Sequence, residues 1–226
     1  MTAESRTGST ITPPVEDYLK AIYALSREDL GVDRVTTSAI ADRMQVSAAS
    51  ATSMMQRLAE LKLVGYVPYQ GVALTEAGEK IALEVIRHHR LIELYLAEAL
   101  GYPWDAVHDE AERLEHVISE EFEDRIDAML GHPTTDPHGH AIPPKTGRMP
   151  DETHRRLSDV EPGEIVVVRR VHDRDGGALR ALSLLELFPG VELRVLARPP
   201  AGPITVERAG ERVSVERELA RTVFVA

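Results

Sequence analysis

The stretch that most constrains the fold of this chain runs from Val35 to Thr75. "VTTSAIADRMQ" reads as a short helix that opens on Thr37 or Ser38 as its cap and offers Ile40, Ala41 and Met44 for burial. After "VS", Ser47 caps "AASATSMMQRLAELKLVGY", whose apolar stripe is Ala51, Met54 or Met55, Leu58, Leu61 and Leu63. Two helices joined by so tight a turn, the second small and hydroxyl-rich in its first half, make the helix-turn-helix pattern. "GYVPY" and "GVALT" then turn around Gln70-Gly71 as a β-hairpin, and the whole reads as a winged helix-turn-helix. Its groove-facing residues are expected to be Ser47, Ala48, Ala49, Ser50, Thr52, Ser53 and Gln56, with Thr37 at the start of the preceding helix. Small side chains let a helix sit deep in a groove, and hydroxyls and an amide reach phosphates or base edges. A plain helical hairpin is the competing reading of the two helices alone.

Before this unit, "VEDYLKAIYALSR" (15–27) places Val15, Tyr18, Leu19, Ile22, Tyr23 and Leu25 at helical spacing. Pro13 and Pro14 suit a helix start, and Asp17 falls in the first turn, where a carboxylate is favoured by the helix dipole. Residues 1–14 are polar, with no apolar h-region, and read as a flexible arm and not a signal peptide.

After it, Thr75 caps a long helix over 76–100, ended by Gly101 and Pro103. It carries His88, His89 and Glu93, the last two at i, i+4. A second helix is expected from His108 to about Leu130. On it His108, Glu112, Glu115 and His116 stand at i, i+4, i+7 and i+8 and share one face. Imidazole and carboxylate converging there make a candidate site for a borderline-to-hard divalent cation; an acidic solvated face is the plain alternative. Ala111, Leu114, Val117, Ile118, Phe122, Ile126 and Met129 supply more than one apolar face, so these helices are a natural dimer interface.

Residues 131–155 are rich in Pro, Gly and His without periodicity and read as a linker or irregular lid. His138 and His140 in it could bind metal, but histidines in loops are more often polar filler, and that is the favoured reading. From Leu157 on, "GEIVVVRRV", "VELRVLAR", "PITVER", "RVSVE" and "TVFVA" are about five short strands, with a helical insert "LRALSLLELF", and point to a small SH3-like barrel. The fold class is therefore mainly α with a small β part. The expected domains are a winged helix-turn-helix (1–75), a helical dimerisation and metal-binding domain (76–145), a linker (146–156) and an SH3-like, FeoA-like domain (157–226).

Composition narrows the function. The chain has no cysteine, which excludes disulfides, thiolate zinc sites and thiol catalysis. Its net charge of −11 argues against an indiscriminate nucleic-acid binder but leaves room for one that presents a single small element to DNA. No apolar run approaches the ~20 residues of a membrane span, so no membrane partner is expected and a cytoplasmic location fits.

Together "EDYLKAIYAL", "IADRMQVSAASATSMMQRL", "HHRLIELYL", "VHDEAERLEH" with "SEEFEDRI", and the "DPHGHAIP" linker before the β-rich tail resemble the diphtheria toxin repressor family of metal-dependent transcriptional regulators, with its iron-responsive and manganese-responsive branches. The resemblance covers nearly the whole chain. It implies a homodimeric repressor of metal-uptake genes, no enzyme, binding palindromic operator DNA with recognition helices ~34 Å apart and up to two ions per subunit. It also implies a primary metal site of Asp17, Glu112, Glu115 and His116, with the Glu112 carbonyl as a further ligand. An ancillary site would use His89, Glu93 and His108, completed from the SH3-like domain by Asp175 or Asp173, with Ala178 where an amide is expected.

The residue at Asp17 is Met in the iron branch and that at Glu112 is Cys; both are carboxylates in the manganese branch. Carboxylates harden the site toward Mn²⁺. Lys20, where the manganese branch has a further Glu, speaks against a binuclear arrangement, and the SH3-like tail is more typical of the iron branch. The resulting expectation is Mn²⁺ preference with Fe²⁺ as a competent second ion. The alternatives are a helical metalloenzyme or a metal-binding protein without DNA. The paired Glu-x-x-His motifs of di-iron bundles are absent, as is HExxH.

Overall fold

The computed structural model describes residues 11–29, 31–147, 149 and 154–226. Most of the polar arm expected over 1–14, and residues 148 and 150–153 of the expected linker, lie outside them. Contacts divide the chain into two compact units, Met1–Arg87 with Lys145–Gly147, and His88–Pro144 with Arg148–Ala226.

In the first unit α1 spans Pro13–Tyr23, with proline at its start, and continues as a π-helical turn over Ala24–Asp29. All six expected apolar positions are buried, Val15, Leu19 and Ile22 completely. Each such side chain contributes about 1.5–3 kcal/mol by leaving water. Helix α2 (Thr37–Arg43) is capped by Thr36, whose hydroxyl accepts from the Ala39 amide, and not by Thr37 or Ser38. Helix α3 (Ala48–Glu60) is capped by Ser47 as expected and buries Ala51, Met55 and Leu58. Strands β1 (Val64–Val67) and β2 (Gly71–Leu74) pair antiparallel, and Val35 adds a single bridge to Val72. Thr75 caps α4 (Glu76–Leu100), accepting from the Gly78 amide at 3.2 Å. A Cβ on Gly78 would lie 2.0 Å from the Leu63 carbonyl oxygen, so only glycine lets α4 start this close to the hairpin.

The second unit begins at His88 inside α4. The single helix expected from His108 to Leu130 is two helices, α5 (Val107–Leu114) and α6 (Glu120–Met129). Residues 115–119 unwind because Ser119 caps α6, accepting from the Phe122 amide at 3.2 Å, and Glu120, Glu121 and Glu123 crowd its first turn, where the dipole favours negative charge. Leu91, Leu94, Ile126 and Ile142 form one apolar cluster and Ile92, Leu96, Val107 and Ala111 another.

The β part holds β3 (Arg155–Arg156), β4 (Ile165–Val171), α7 (Gly176–Leu184), β5 (Glu192–Ala197), β6 (Ile204–Arg208), β7 (Glu211–Val215), α8 (Arg217–Ala220) and β8 (Val223–Val225). Its six strands run in the order β3-β8-β4-β5-β6-β7, all neighbours antiparallel. Val166, Val168, Leu193, Val195, Ile204, Val206, Val223 and Val225 alternate inward to make its core, as period-two strands require. The short β3 is the strand that the sequence pattern does not announce. Trp104, from the turn between α4 and α5, packs on this core and meets Phe188 edge-on at 4.9 Å.

Candidate metal centre

Within the second unit α4 presents His89 and Glu93 one turn apart, and α5 presents His108 beside them. His89 Nε2, His108 Nδ1 and Glu93 Oε1 stand 3.0, 3.1 and 3.1 Å from one another. Donors on one cation with ~2.1 Å bonds at right angles are about 3 Å apart. On its other nitrogen His89 lies 2.5 Å from Glu115 Oε2. A carboxylate accepts, so Nδ1 carries the ring proton and the Nε2 lone pair is turned to Glu93 and His108.

The fourth member comes from the β part. Asp173 Oδ2 is 4.0 Å from His108 Nδ1, and ligand atoms of His89, Glu93, His108 and Asp173 all lie within 4.8 Å of one another. Asp175 is elsewhere: its carboxylate accepts from the Gly177 and Ala178 amides at 2.8 and 3.1 Å and caps α7. That is the ordinary task of an Asp just before a helix, and it engages the Ala178 amide as well.

The segment read as a linker belongs to this centre. His138 is fully buried and Asp136 and His140 nearly so, which corrects the reading of the two histidines as filler. Asp136 Oδ1 accepts from the His138 and His140 amides at 2.8 and 2.9 Å, a local Asx turn. Gly139 (φ +88°) allows the loop to lie against β4, where a Cβ would come 2.0 Å from the Arg169 carbonyl oxygen. Arg90 donates to the Ala141 carbonyl at 2.6 Å and holds the loop from the helix side. Asp136 and His138 thereby join Glu93 and Asp173 in a second donor set, again within 4.8 Å.

His138 tests whether these residues fit a cation. Its Nε2 is 2.8 Å from the Trp104 carbonyl, which only accepts, so Nε2 holds a proton. The Nδ1 lone pair then faces Glu93 Oε2 at 3.7 Å, too far for a hydrogen bond, and neither atom has another hydrogen-bond partner. Two buried acceptors aimed at each other need a positive charge between them, and all the donors are nitrogen and oxygen, the chemistry of a borderline-to-hard divalent ion. The residues fit.

Without a metal, protons take that part. Burial alone would push His138 down, but the Glu93 carboxylate, with Asp136 and Asp173 behind it, raises it to about 9. Burial works to raise Glu93, yet the charge of His89, the bonds from His108 and His89 and the nearby His138 ring hold it well below the usual carboxylate range. Asp173 falls to about 2, burial being outweighed by His140, His108 and His138. His140 is raised, burial being outweighed by Asp136 and Asp173.

The other expected ligands are distributed as follows. Asp17 is half-buried on α1 in the first unit, as is the buried Lys20. Glu112 is exposed on α5 and His116 half-buried in the turn after it. Glu115 is buried, with Oε1 3.4 Å from His116 Nε2 and its carbonyl accepting from His88 Nδ1 at 3.1 Å. Glu115 and His116 lie past the last turn of α5, so the break, and not a continuous helical face, sets their directions. Glu115 also forms a donor set with His89 and Glu112, so one carboxylate touches both groups of expected ligands.

In the first unit Ser47, Ala49, Ser50, Ser53 and Gln56 are exposed, and Thr37 and Thr52 half-buried. Some of the hydroxyls are partly engaged: Ser47 accepts from the Ser50 amide, and Thr52 donates to the Ala48 carbonyl at 2.8 Å. Ala48, Thr52 and Gln56 line a cleft of about 620 Å³ whose other wall is the hairpin.

Three family models match consecutive parts of the chain. They are the iron dependent repressor N-terminal DNA binding domain over residues 10–72, the iron dependent repressor metal binding and dimerisation domain over 75–144, and the FeoA domain over 155–226. The iron-dependent repressor IdeR of Mycobacterium bovis is 32% identical over 223 residues, covering 93% of this chain and 95% of its own. The chain belongs to the iron-dependent repressor family. Its members are transcriptional repressors and not enzymes, so the metalloenzyme alternative falls. Among solved structures, a manganese-dependent transcriptional repressor in complex with manganese is 39% identical, with a TM-score of 0.87 over 94% of this chain and 99% of that one. The manganese regulator SloR is 35% identical, with a TM-score of 0.76 over 96% and 99%. This repressor thus has the expected fold: a DNA-binding head, a helical dimerisation domain and an SH3-like FeoA domain.

Proposed function

We propose that this metal-dependent transcriptional repressor responds to Mn²⁺, with Fe²⁺ as a second competent ion, and binds palindromic operator DNA as a homodimer to control metal-uptake genes in the cytoplasm. The single observation that carries the metal reading is the facing pair of unpartnered acceptors, Glu93 Oε2 and His138 Nδ1, inside a donor set that contains no sulfur. Asp17 and Glu112, carboxylates where softer relatives carry sulfur, support the choice of manganese, and so does the likeness to solved structures of a manganese-dependent repressor and of the manganese regulator SloR.

Two ligand sets per subunit are proposed. Asp17, Glu112, Glu115 and His116 form the first, on the family resemblance. Glu93 and Asp173 form the second with His89 and His108 on one side and Asp136 and His138 on the other, on the distances above. A bound divalent cation supplies positive charge to carboxylates that otherwise repel. On that resemblance, an ion held jointly by the DNA-binding domain and the dimerisation domain sets the affinity for DNA. Ser47, Ala49, Ser50, Thr52, Ser53 and Gln56, with Thr37, are proposed to face the DNA. Leu100, Tyr102, Val117, Phe122 and Met129, exposed on or beside α4–α6, support a dimer through these helices.

The test is retardation of a duplex selected from a random-sequence pool, run in parallel with Mn²⁺, anaerobic Fe²⁺ and Zn²⁺. Retardation at the lowest free concentration with Mn²⁺ supports the reading. Equal retardation in the presence of a chelator overturns it.

A further inference from the structure

Tyr69 at the tip of the hairpin has no task inside its own unit. It is 108% exposed and sits at φ +64°, the left-handed region that a side chain with a Cβ enters at a cost. The Gln70 amide bonds the Val67 carbonyl at 3.0 Å and closes a four-residue turn. Pro68 takes the turn's second position, where proline is favoured, and Tyr69 the third, which turns of positive φ fill with Gly or Asn. A large aromatic therefore stands where glycine is the easier residue, and it buries nothing. The rest of the hairpin is held in place: Arg34 donates to the Gly65 and Gly71 carbonyls at 3.3 and 3.2 Å.

Tyr69, Tyr66 and Pro68 line the same cleft as Ala48, Thr52 and Gln56 of α3. No acidic residue is among the cleft's lining residues, in a chain of net charge −11. The surface is continuous with the recognition-helix face, and its neutral, hydroxyl-bearing lining sets no carboxylate against an anionic partner.

We propose that Tyr69 is a DNA-positioning residue. Its ring packs on a deoxyribose flanking the base pairs that α3 faces, and its hydroxyl donates to the adjacent phosphate. This rests on the DNA-binding reading above. Contacts of this class set affinity and register and carry no base preference.

The experiment uses the full-length Mn²⁺-loaded protein and a duplex selected by the wild type from a random-sequence pool. Loss of one hydrogen bond to a charged oxygen corresponds to about tenfold in Kd. Tyr69→Phe should therefore weaken binding about tenfold, and Tyr69→Gly at least as much. Ethylation of one flanking phosphate should interfere with the wild type and no longer with either variant. Tyr69→Gly should unfold at the same temperature as the wild type or higher, because the turn is relaxed. Binding within twofold of wild type overturns the proposal, and so does a lower unfolding temperature, which would make Tyr69 structural. A wild-type protein that retards no duplex at any Mn²⁺ level sinks the DNA-binding reading itself, and this proposal with it.

Discussion

Raising the pH of the metal-free protein should remove a defined share of its stability through one side chain, His138. In the folded chain its pKa is raised to about 9 from 6.5. A group raised on folding stabilises fully below its unfolded value and loses that contribution as pH climbs through the folded one. The window is therefore pH 6.5 to 9. At about 1.4 kcal/mol per pKa unit the share is on the order of 3 kcal/mol, with no solvent discount because His138 is 0% exposed. His138→Gln keeps a donor for the Trp104 carbonyl and removes the titration. Trp104 is the chain's only tryptophan, and its ring lies 5.4 Å from that of His138, so its fluorescence reports unfolding where the change is made. Denaturant unfolding at half-unit steps from pH 6 to 10, in chelator, should give a wild-type curve that falls relative to the variant across the window. Added Mn²⁺ should bind more tightly as pH rises through the same range, because a ligating imidazole must give up its proton. Parallel curves for wild type and variant would refute the assignment of a protonated His138 facing Glu93.

Three further outcomes are expected. Glu112→Ala should lose Mn²⁺-dependent retardation while the dimer persists by sedimentation; an unchanged gel shift removes Glu112 from the first ligand set. Asp173→Ala should weaken Mn²⁺ binding by tenfold or more, whereas Asp175→Ala should leave it unchanged and cost about 1 kcal/mol of stability as a lost helix cap, so reversed phenotypes would exchange their roles. Ser50→Glu or Thr52→Glu should abolish DNA binding at every metal level without changing Mn²⁺ binding, and surviving retardation would turn that face of α3 away from DNA.

Where local chemistry decides an element, much of it was legible in the sequence, although the cap of α2 is Thr36 and not one of the two residues after it. Ser47 and Thr75 cap the helices assigned to them, and the six apolar positions from Val15 to Leu25 are all buried. The β runs after Leu157 gave the strands because period-two alternation is itself the packing rule. The break at 115–119 was hidden by Val117 and Ile118, which continue a plausible apolar face. Ser119 with Glu120, Glu121 and Glu123 was the available signal for a new helix start. Asp175 could have been set aside on the same grounds, as an Asp directly ahead of a helix. His138 is different in kind. The Asp136-Pro137-His138-Gly139-His140 run announces a turn, but only the packing of that turn beside Glu93 and Asp173 makes it a donor set, and no periodicity carries contacts across tens of residues.

In the proposed mechanism metal and DNA are coupled through this protein, and by linkage the coupling must be the same in both directions. Mn²⁺ titrated calorimetrically into the protein, alone and with the selected duplex present, measures it most directly. DNA should raise the apparent Mn²⁺ affinity by the factor by which Mn²⁺ raises DNA affinity. Identical Mn²⁺ isotherms with and without DNA would contradict it.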